Sequence, residues 1–292
     1  MTRHAWPTLA WGERRVTVLS DGIIRLDGGA MFGVVPRVLW EKKMPPDDRN
    51  RITMAMNSLL VEGPEGRIVV ETGTGAKEDA RFHSMYGIER DGGLETRLAE
   101  AGAPPETIDH VVLTHLHFDH AGGATTLADG AVVPTFPGAT YHVHRGEYED
   151  ALADGERNRA SYFDRNYVPL VDAGAVRWMA DGESPVSGIE IVETPGHTAH
   201  HVTVLVDDGE GRKIAFLGDL VPTTAHLPWP WIMAYDLYPM TTIETKKKVL
   251  RRAHEEGWLC AFVHDLERPL AYLAVDDRGR IEVDGGRDPW SG

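Results

Sequence analysis

The sequence predicts a layered α/β protein with helices outside two sheets. Three observations carry that expectation. Short β-branched runs recur in both halves of the chain, amphipathic helical stretches are interspersed among them, and no repeat or low-complexity linker interrupts the pattern. Residues 1–292 read as a single domain with an unusual N-terminal arm over about residues 27–50.

The strand-like runs in the first half are Val16-Thr17-Val18-Leu19, Ser58-Leu59-Leu60-Val61, Arg67-Ile68-Val69-Val70 and His110-Val111-Val112-Leu113. The second half adds Ile189-Glu190-Ile191-Val192, Val202-Thr203-Val204-Leu205-Val206 and Lys213-Ile214-Ala215-Phe216-Leu217. Gly, Pro or Asp bound many of them, and Pro64-Glu65-Gly66 reads as a hairpin turn. Helices are expected over Gly93–Ala101, where Leu94 and Leu98 make a stripe, over Arg145–Ala153, and over Thr241–Gly257. The last has Ile243, Val249, Leu250 and Ala253 on one face and Gly257 as its stop, with Lys246-Lys247-Lys248 expected on the solvated outer face. The stretch Asp27–Asn50 contains Gly28-Gly29, Met31-Phe32, Pro36, Trp40 and Pro45-Pro46. It reads as a long ordered loop, either a binding element or a packing arm.

A formal net charge of -15 argues against a nucleic-acid partner, which would need clustered Lys and Arg. No apolar stretch approaches the roughly 18–20 residues of a membrane helix. No secretory signal is visible around His4, Trp6 and Pro7, and Cys260 is the only cysteine, so a cytoplasmic setting is expected.

The chemistry concentrates in Thr114-His115-Leu116-His117-Phe118-Asp119-His120, directly after an apolar run. Imidazole nitrogens and carboxylate oxygens are zinc's protein ligands when thiolates are absent. Four such groups on so short a loop do not easily surround one ion, but they can share two, each completed from elsewhere. Three later segments repeat one grammar, an apolar strand ending in a ligand-type residue: Ile191-Val192 leads to His197, Phe216-Leu217 to Asp219, and Phe262-Val263 to His264. Strand ends at one sheet edge are close in space, so these side chains can converge on the His115–His120 loop.

His115-x-His117-x-Asp119-His120 followed by His197, Asp219 and His264 resembles the metallo-β-lactamase fold superfamily, from about Asn57 to His264. The resemblance implies an αββα sandwich of two mixed sheets flanked by helices, with two divalent metal ions at one edge. They are zinc by default, with manganese, iron or cobalt accepted by the same donors. It implies His115, His117 and His197 on one ion, Asp119, His120 and His264 on the other, and Asp219 bridging both with a hydroxide. Asp119 would also orient the hydroxide and pass a proton to the leaving group. Glu71, where relatives often carry aspartate, would hold a ligand histidine from behind. His201 fits the family's buried histidine, and His200 is expected at the surface. His142 and His144 alternate along one strand and read as core or rim residues; His4, His83, His110 and His254 read as structural or solvated.

The branch most resembled is that of lactonases and organophosphate hydrolases, including quorum-quenching N-acyl-homoserine lactonases and methyl parathion hydrolase. The flanking residues Asp27 to Pro36 and Asp236-Leu237-Tyr238-Pro239 carry that likeness. It implies hydrolysis of a lactone or related ester, with room for a phosphotriesterase side activity. Met31, Phe32, Trp40, His226, Trp229 and Trp231 are candidates for an apolar pocket wall, with packing or a dimer contact as the other reading of the tryptophans. Some such lactonases use a tyrosine soon after the bridging aspartate; Asp219 is followed by none, leaving Tyr235 and Tyr238 as candidates. The expected partner is a neutral lactone or ester with an apolar portion, and the apolar arm suits a homodimer. A glyoxalase II-like thioesterase is the alternative enzyme and would want cationic residues for an acidic substrate. A metal-stabilised binding protein is the non-catalytic alternative.

Overall fold

The computed structural model describes residues 7–153, 155–180 and 182–290; His4 lies outside them. Among the described residues, seven strands form the first sheet, in the spatial order Thr8–Trp11, Arg14–Asp27, Arg51–Gly63, Gly66–Val70, His110–Val112, Thr140–His144 and Val176–Met179. Its first four strands pair antiparallel and its last four parallel. A second sheet of five runs Ile189–Glu193, Val202–Asp207, Lys213–Phe216, Leu259–Ala261 and Leu270–Ala271, with one parallel pair in the middle.

The central strands of both sheets are buried on two faces, and the alternation of side chains sorts their residues between layers. Leu59, Val61, Ile68, Val70 and Val112 of the first sheet meet Val204, Val206, Ile214, Phe216 and Leu259 of the second in the central core. The residues between them point outward. Leu60, Val69 and Val111 pack under Leu94 and Leu98 of helix Gly93–Glu100, Ala151 of helix Arg145–Leu152 and Leu170 of helix Val168–Asp172. Leu205, Ala215 and Cys260 pack under Val249, Leu250 and Ala253 of helix Pro239–Glu255. The αββα order expected from the sequence is the observed one.

Element boundaries follow local chemistry. The hairpin closes on paired Gly63 and Gly66 around Pro64-Glu65. The long helix begins at Pro239, whose missing N–H costs nothing in a first turn, and Gly257 follows its end at φ 67. Asp27–Asn50 is not a plain loop but an arm with two short helices, Gly28–Phe32 and Arg37–Trp40. Asp27 caps the first through Ala30 N at 2.9 Å and ties the far end through Asn50 Nδ2 at 2.9 Å. The Trp40 indole lies on Gly28 so closely that a Cβ there would sit 2.4 Å from the ring.

The lysine run does not lie on a solvated face as expected. Lys246 is fully buried, and its Nζ donates to the carbonyls of His226, Pro228 and Trp231 at 3.0, 3.0 and 2.8 Å. The helical phase explains it: position 246 shares a face with Thr242, Val249 and Leu250, whereas Lys248 points to solvent. Three carbonyl oxygens match the three N–H donors of an ammonium, although burial pushes its pKa down to about 7. No helix among the described residues is long and apolar enough to cross a membrane.

Lys246→Met should lower the unfolding free energy in urea by roughly 2–4 kcal/mol, since three buried acceptors lose their donor. An unchanged midpoint would mean that these carbonyls find other partners.

Candidate metal centre

The strands Ile189–Glu193, Lys213–Phe216 and Leu259–Ala261 run in the same direction, so their C-terminal ends share one edge of the second sheet. His197, Asp219 and His264 follow those ends. The corresponding edge of the first sheet delivers the loop after His110–Val112, and Val202 N donates to Thr114 O at 3.0 Å to join the two edges. A short helix over Phe118–Ala121 turns Asp119 and His120 back toward His115 and His117. Gly122 and Gly123 then pass so close to the carbonyls of Thr74 and Thr72 that a Cβ would lie 2.3 and 2.1 Å from them. Only glycine permits that approach.

All seven predicted side chains meet. His197 Nε2 lies 3.0 Å from His117 Nδ1 and 3.2 Å from Asp219 Oδ2. The other oxygen, Asp219 Oδ1, lies 3.5 Å from His120 Nε2 and 3.4 Å from His264 Nε2. Asp119 Oδ2 is 3.6 Å from His264 Nε2 and 3.9 Å from His120 Nε2. Three sets have ligand atoms within 4.8 Å of one another: His115, His117 and His197; His115, His120 and Asp219; Asp119, His120 and His264. Asp219 thus presents one oxygen to each side.

Inner and outer ring nitrogens differ in kind. On the outside, His120 Nδ1 meets Glu71 Oε2 at 2.5 Å, His197 Nδ1 meets Asp236 Oδ1 at 3.0 Å, His264 Nδ1 meets Ala55 O at 2.8 Å, and His115 Nδ1 meets Thr114 Oγ1 at 3.0 Å. On the inside, Nε2 of His115 and His120 and Oδ1 of Asp219 are buried without any hydrogen-bond partner, and His117 faces the cluster through Nδ1, whose neighbour is His197 Nε2. Buried polar atoms are rarely left so, and imidazole and carboxylate donors aimed at a common centre fit a divalent cation. Burial and the neighbouring imidazoles push His115 and His117 well below the usual histidine pKa, which keeps them neutral as ligands. Burial opposes charge on His120 and His197, but Asp219 together with Glu71 and Asp119 on the first, and with Asp236 on the second, outweighs it and raises both. Burial would raise Asp219, yet the facing His120, His197 and His264 hold it well below the carboxylate range.

The sequence profile of the metallo-beta-lactamase superfamily matches residues 54–264. The chain belongs to this superfamily. A probable metallo-hydrolase of Mycobacterium tuberculosis is 28% identical, covering 85% of this chain and 87% of its own. An N-acyl homoserine lactonase of a Bacillus species is 28% identical over 72% of this chain and 80% of its own. The crystal structure of a probable metal-dependent hydrolase from Staphylococcus aureus superposes with a TM-score of 0.86 at 28% identity, over 96% of this chain and all (100%) of that one. This metallo-β-lactamase-fold protein is a metal-dependent hydrolase, and its His/Asp cluster can hold metal.

Several supporting residues left little trace in the sequence. Glu71 sits at the expected strand end, buried, with a left-handed φ of 67. That backbone costs on the order of 1–2 kcal/mol and lets its carboxylate also accept from Thr114 N at 2.6 Å. Asp236 lay in a flagged run but without its role behind His197. Glu147 had no signal at all; buried, it accepts from Leu116 N, Tyr162 OH and Thr198 Oγ1 at 3.2, 2.7 and 2.7 Å, tying three loops around His117 and His197. His201 is the buried histidine expected, between Thr194 Oγ1 at 2.8 Å and Asp219 N at 3.0 Å. His200 stacks on His144, which pairs with Glu193, while His142 meets His110.

The pocket differs from expectation. A cavity of about 200 Å³ over the cluster is lined by Met31 and Tyr235, as predicted, by Met233 from the apolar run after Asp219 that the sequence also marked as wall, and by Leu26, Phe118, Tyr86 and Arg157, which were not expected there. Phe32, Trp40, His226, Trp229, Trp231 and Tyr238 do not line it. Phe32 lies in the stack between Trp40 and His226, at 5.4 and 4.6 Å, with Trp231 against its edge. His226 is buried behind the wall, between Met31 O and Thr223 Oγ1. Trp229 packs against the core beneath the long helix, and Tyr238 is exposed. Wide rings so close to the arm are used to hold it in place.

Removing either supporting carboxylate, by Glu71→Ala or Asp236→Ala, should weaken metal binding about 10–100-fold in competition with a chromophoric chelator. Because His120 and His197 hold protons more tightly than ordinary histidines when no cation is present, metal must displace those protons. Affinity should therefore fall as pH is lowered through their titration, with proton release visible as a buffer-dependent calorimetric enthalpy. Equal heats in buffers of different ionisation enthalpy would contradict this.

Proposed function

We propose that this protein hydrolyses lactones or related esters at a dinuclear metal centre, zinc being the default metal. The observation that carries the reading is the set of unpartnered inner ligand atoms opening directly onto a cavity with apolar walls. His115, His117 and His197 would hold one ion, Asp119, His120 and His264 the other, with Asp219 between them. When bound, such an ion pair supplies a hydroxide near neutral pH, the pKa of coordinated water falling to about 7, and polarises the ester carbonyl.

The chain's own groups do the rest. Leu26, Met31, Phe118 and Met233 seat the apolar portion of the substrate and exclude water. Asp119, at the cavity wall beside His264, is placed to take a proton and deliver it to the leaving oxygen. Tyr235, its pKa pushed up to about 12 by burial and the Asp119 charge, stays protonated and can donate to a developing alkoxide. Tyr238 does not line the cavity and is out of place for that role. The Bacillus relative named as an N-acyl homoserine lactonase supports a small-molecule lactone substrate. A thioesterase built for a polyacidic substrate is disfavoured, because Arg157 is the single Lys or Arg of the lining. Exposed Val34, Val38 and Leu39 on the arm support a homodimer, and the unpaired, buried Cys260 supports a cytoplasmic setting.

A panel of lactones, aryl esters, thioesters and phosphotriesters, assayed by proton release with defined metals, tests the reading. Alkyl lactones should be opened only by metal-loaded protein, and no turnover at any chain length would end the proposal. Asp119→Asn should retain at least one metal and lose about 10²–10⁴-fold in kcat; full metal content with full turnover would remove Asp119 from the mechanism.

A further inference from the structure

The cavity over the ligands continues into a second one of about 250 Å³, and the two share His117, Arg157, Ser161 and Tyr235. The second is unusual for this chain. No Asp or Glu lines it, although the protein carries 45 acidic residues against 30 Lys and Arg. Besides His117, its polar side chains are all able to donate, Arg157 as a donor only. Nη2 of Arg157 donates to Ala234 O at 2.6 Å and Asp236 O at 3.3 Å, which fixes the guanidinium across the mouth. Its Nε and Nη1, the Asn158 amide, the Ser161 hydroxyl and the Tyr235 phenol make no hydrogen bond to the described residues, and Arg157 has no acidic partner among them.

A guanidinium held at an exposed mouth by neutral carbonyls, with donors left over and no counter-ion among the described residues, is arranged to receive a planar anion. We propose that this second cavity is a carboxylate subsite and that Arg157 selects substrates bearing an acidic group beyond the scissile ester. The inference rests on the ester-hydrolase reading and narrows it, from a neutral ester to one with an acidic end. Tethering through Nη2 leaves the clip on the Ala234–Asp236 segment intact when the subsite fills, so His197 keeps its Asp236 partner.

The test uses metal-loaded protein and calorimetric titration with a series of dicarboxylates, from succinate to suberate, against monocarboxylates of matched length. One carboxylate of either ligand can reach the ligand cluster; only the dicarboxylate also reaches Arg157. At the best length it should bind about tenfold more tightly, Arg157→Met should erase that difference, and Arg157→Lys should restore part of it. Kinetically, Arg157→Met should raise KM for an ester with a terminal carboxylate far more than for its plain alkyl counterpart. The wild-type ligand series does not depend on any variant folding, and equal affinity for both ligand types at every length would overturn the subsite. Turnover of esters without acid selectivity would sink the subsite alone, whereas acid selectivity in binding with no ester hydrolysed would sink the hydrolase reading and leave the subsite standing.

Discussion

The structure depends on holding imidazoles by their outer nitrogens so that their inner ones converge on a common centre. Glu71, Asp236 and the Ala55 carbonyl each hold one ring of the cluster in that way. The arrangement is costly for a chain alone, because buried ring nitrogens and a carboxylate oxygen forgo hydrogen bonds. Its stability requires rigid supports, and the supports are where the less usual local features gather: a left-handed glutamate, a pair of glycines pressed on carbonyls, and a buried carboxylate joining three loops.

The layering explains why these supports can be rigid. Each ligand follows a strand whose core-facing residues are buried, so its backbone is fixed before its side chain is aimed. The walls of the pocket have a different origin. They come from the N-terminal arm, from the helix bearing Phe118 and from the segment after the bridging aspartate. Lys246 fastens one end of that last segment by its carbonyls, and Arg157 fastens the other. Metal chemistry and substrate shape thus draw on different parts of the fold, with the Phe118–Ala121 helix serving both.

Legibility in the sequence followed the same division. The ligands could be read because their residue types are rare in combination and sit at the ends of clear strand runs. The layers could be read because alternation of Val, Ile and Leu encodes a two-faced sheet. The pocket was harder. Phe32, Trp40, Trp229 and Trp231 look like a wall in one dimension, but the depth at which a ring sits is set by what packs behind it, and most became the packing. Lys246 was misread because three consecutive lysines hide the phase that puts one of them on the apolar face. Glu147 and Arg157 act through contacts far along the chain and leave no local pattern.

The donors of the cluster divide between the two halves of the sandwich, His115 to His120 on one and His197 to His264 on the other. A cation held among them would be a staple across the seam between the sheets, joining segments far apart in sequence. A chain ending before His264 would keep His115, His117 and His197 together with Asp219 but would lose the set that Asp119, His120 and His264 make, so the two halves of the nest differ in how much of the chain they need.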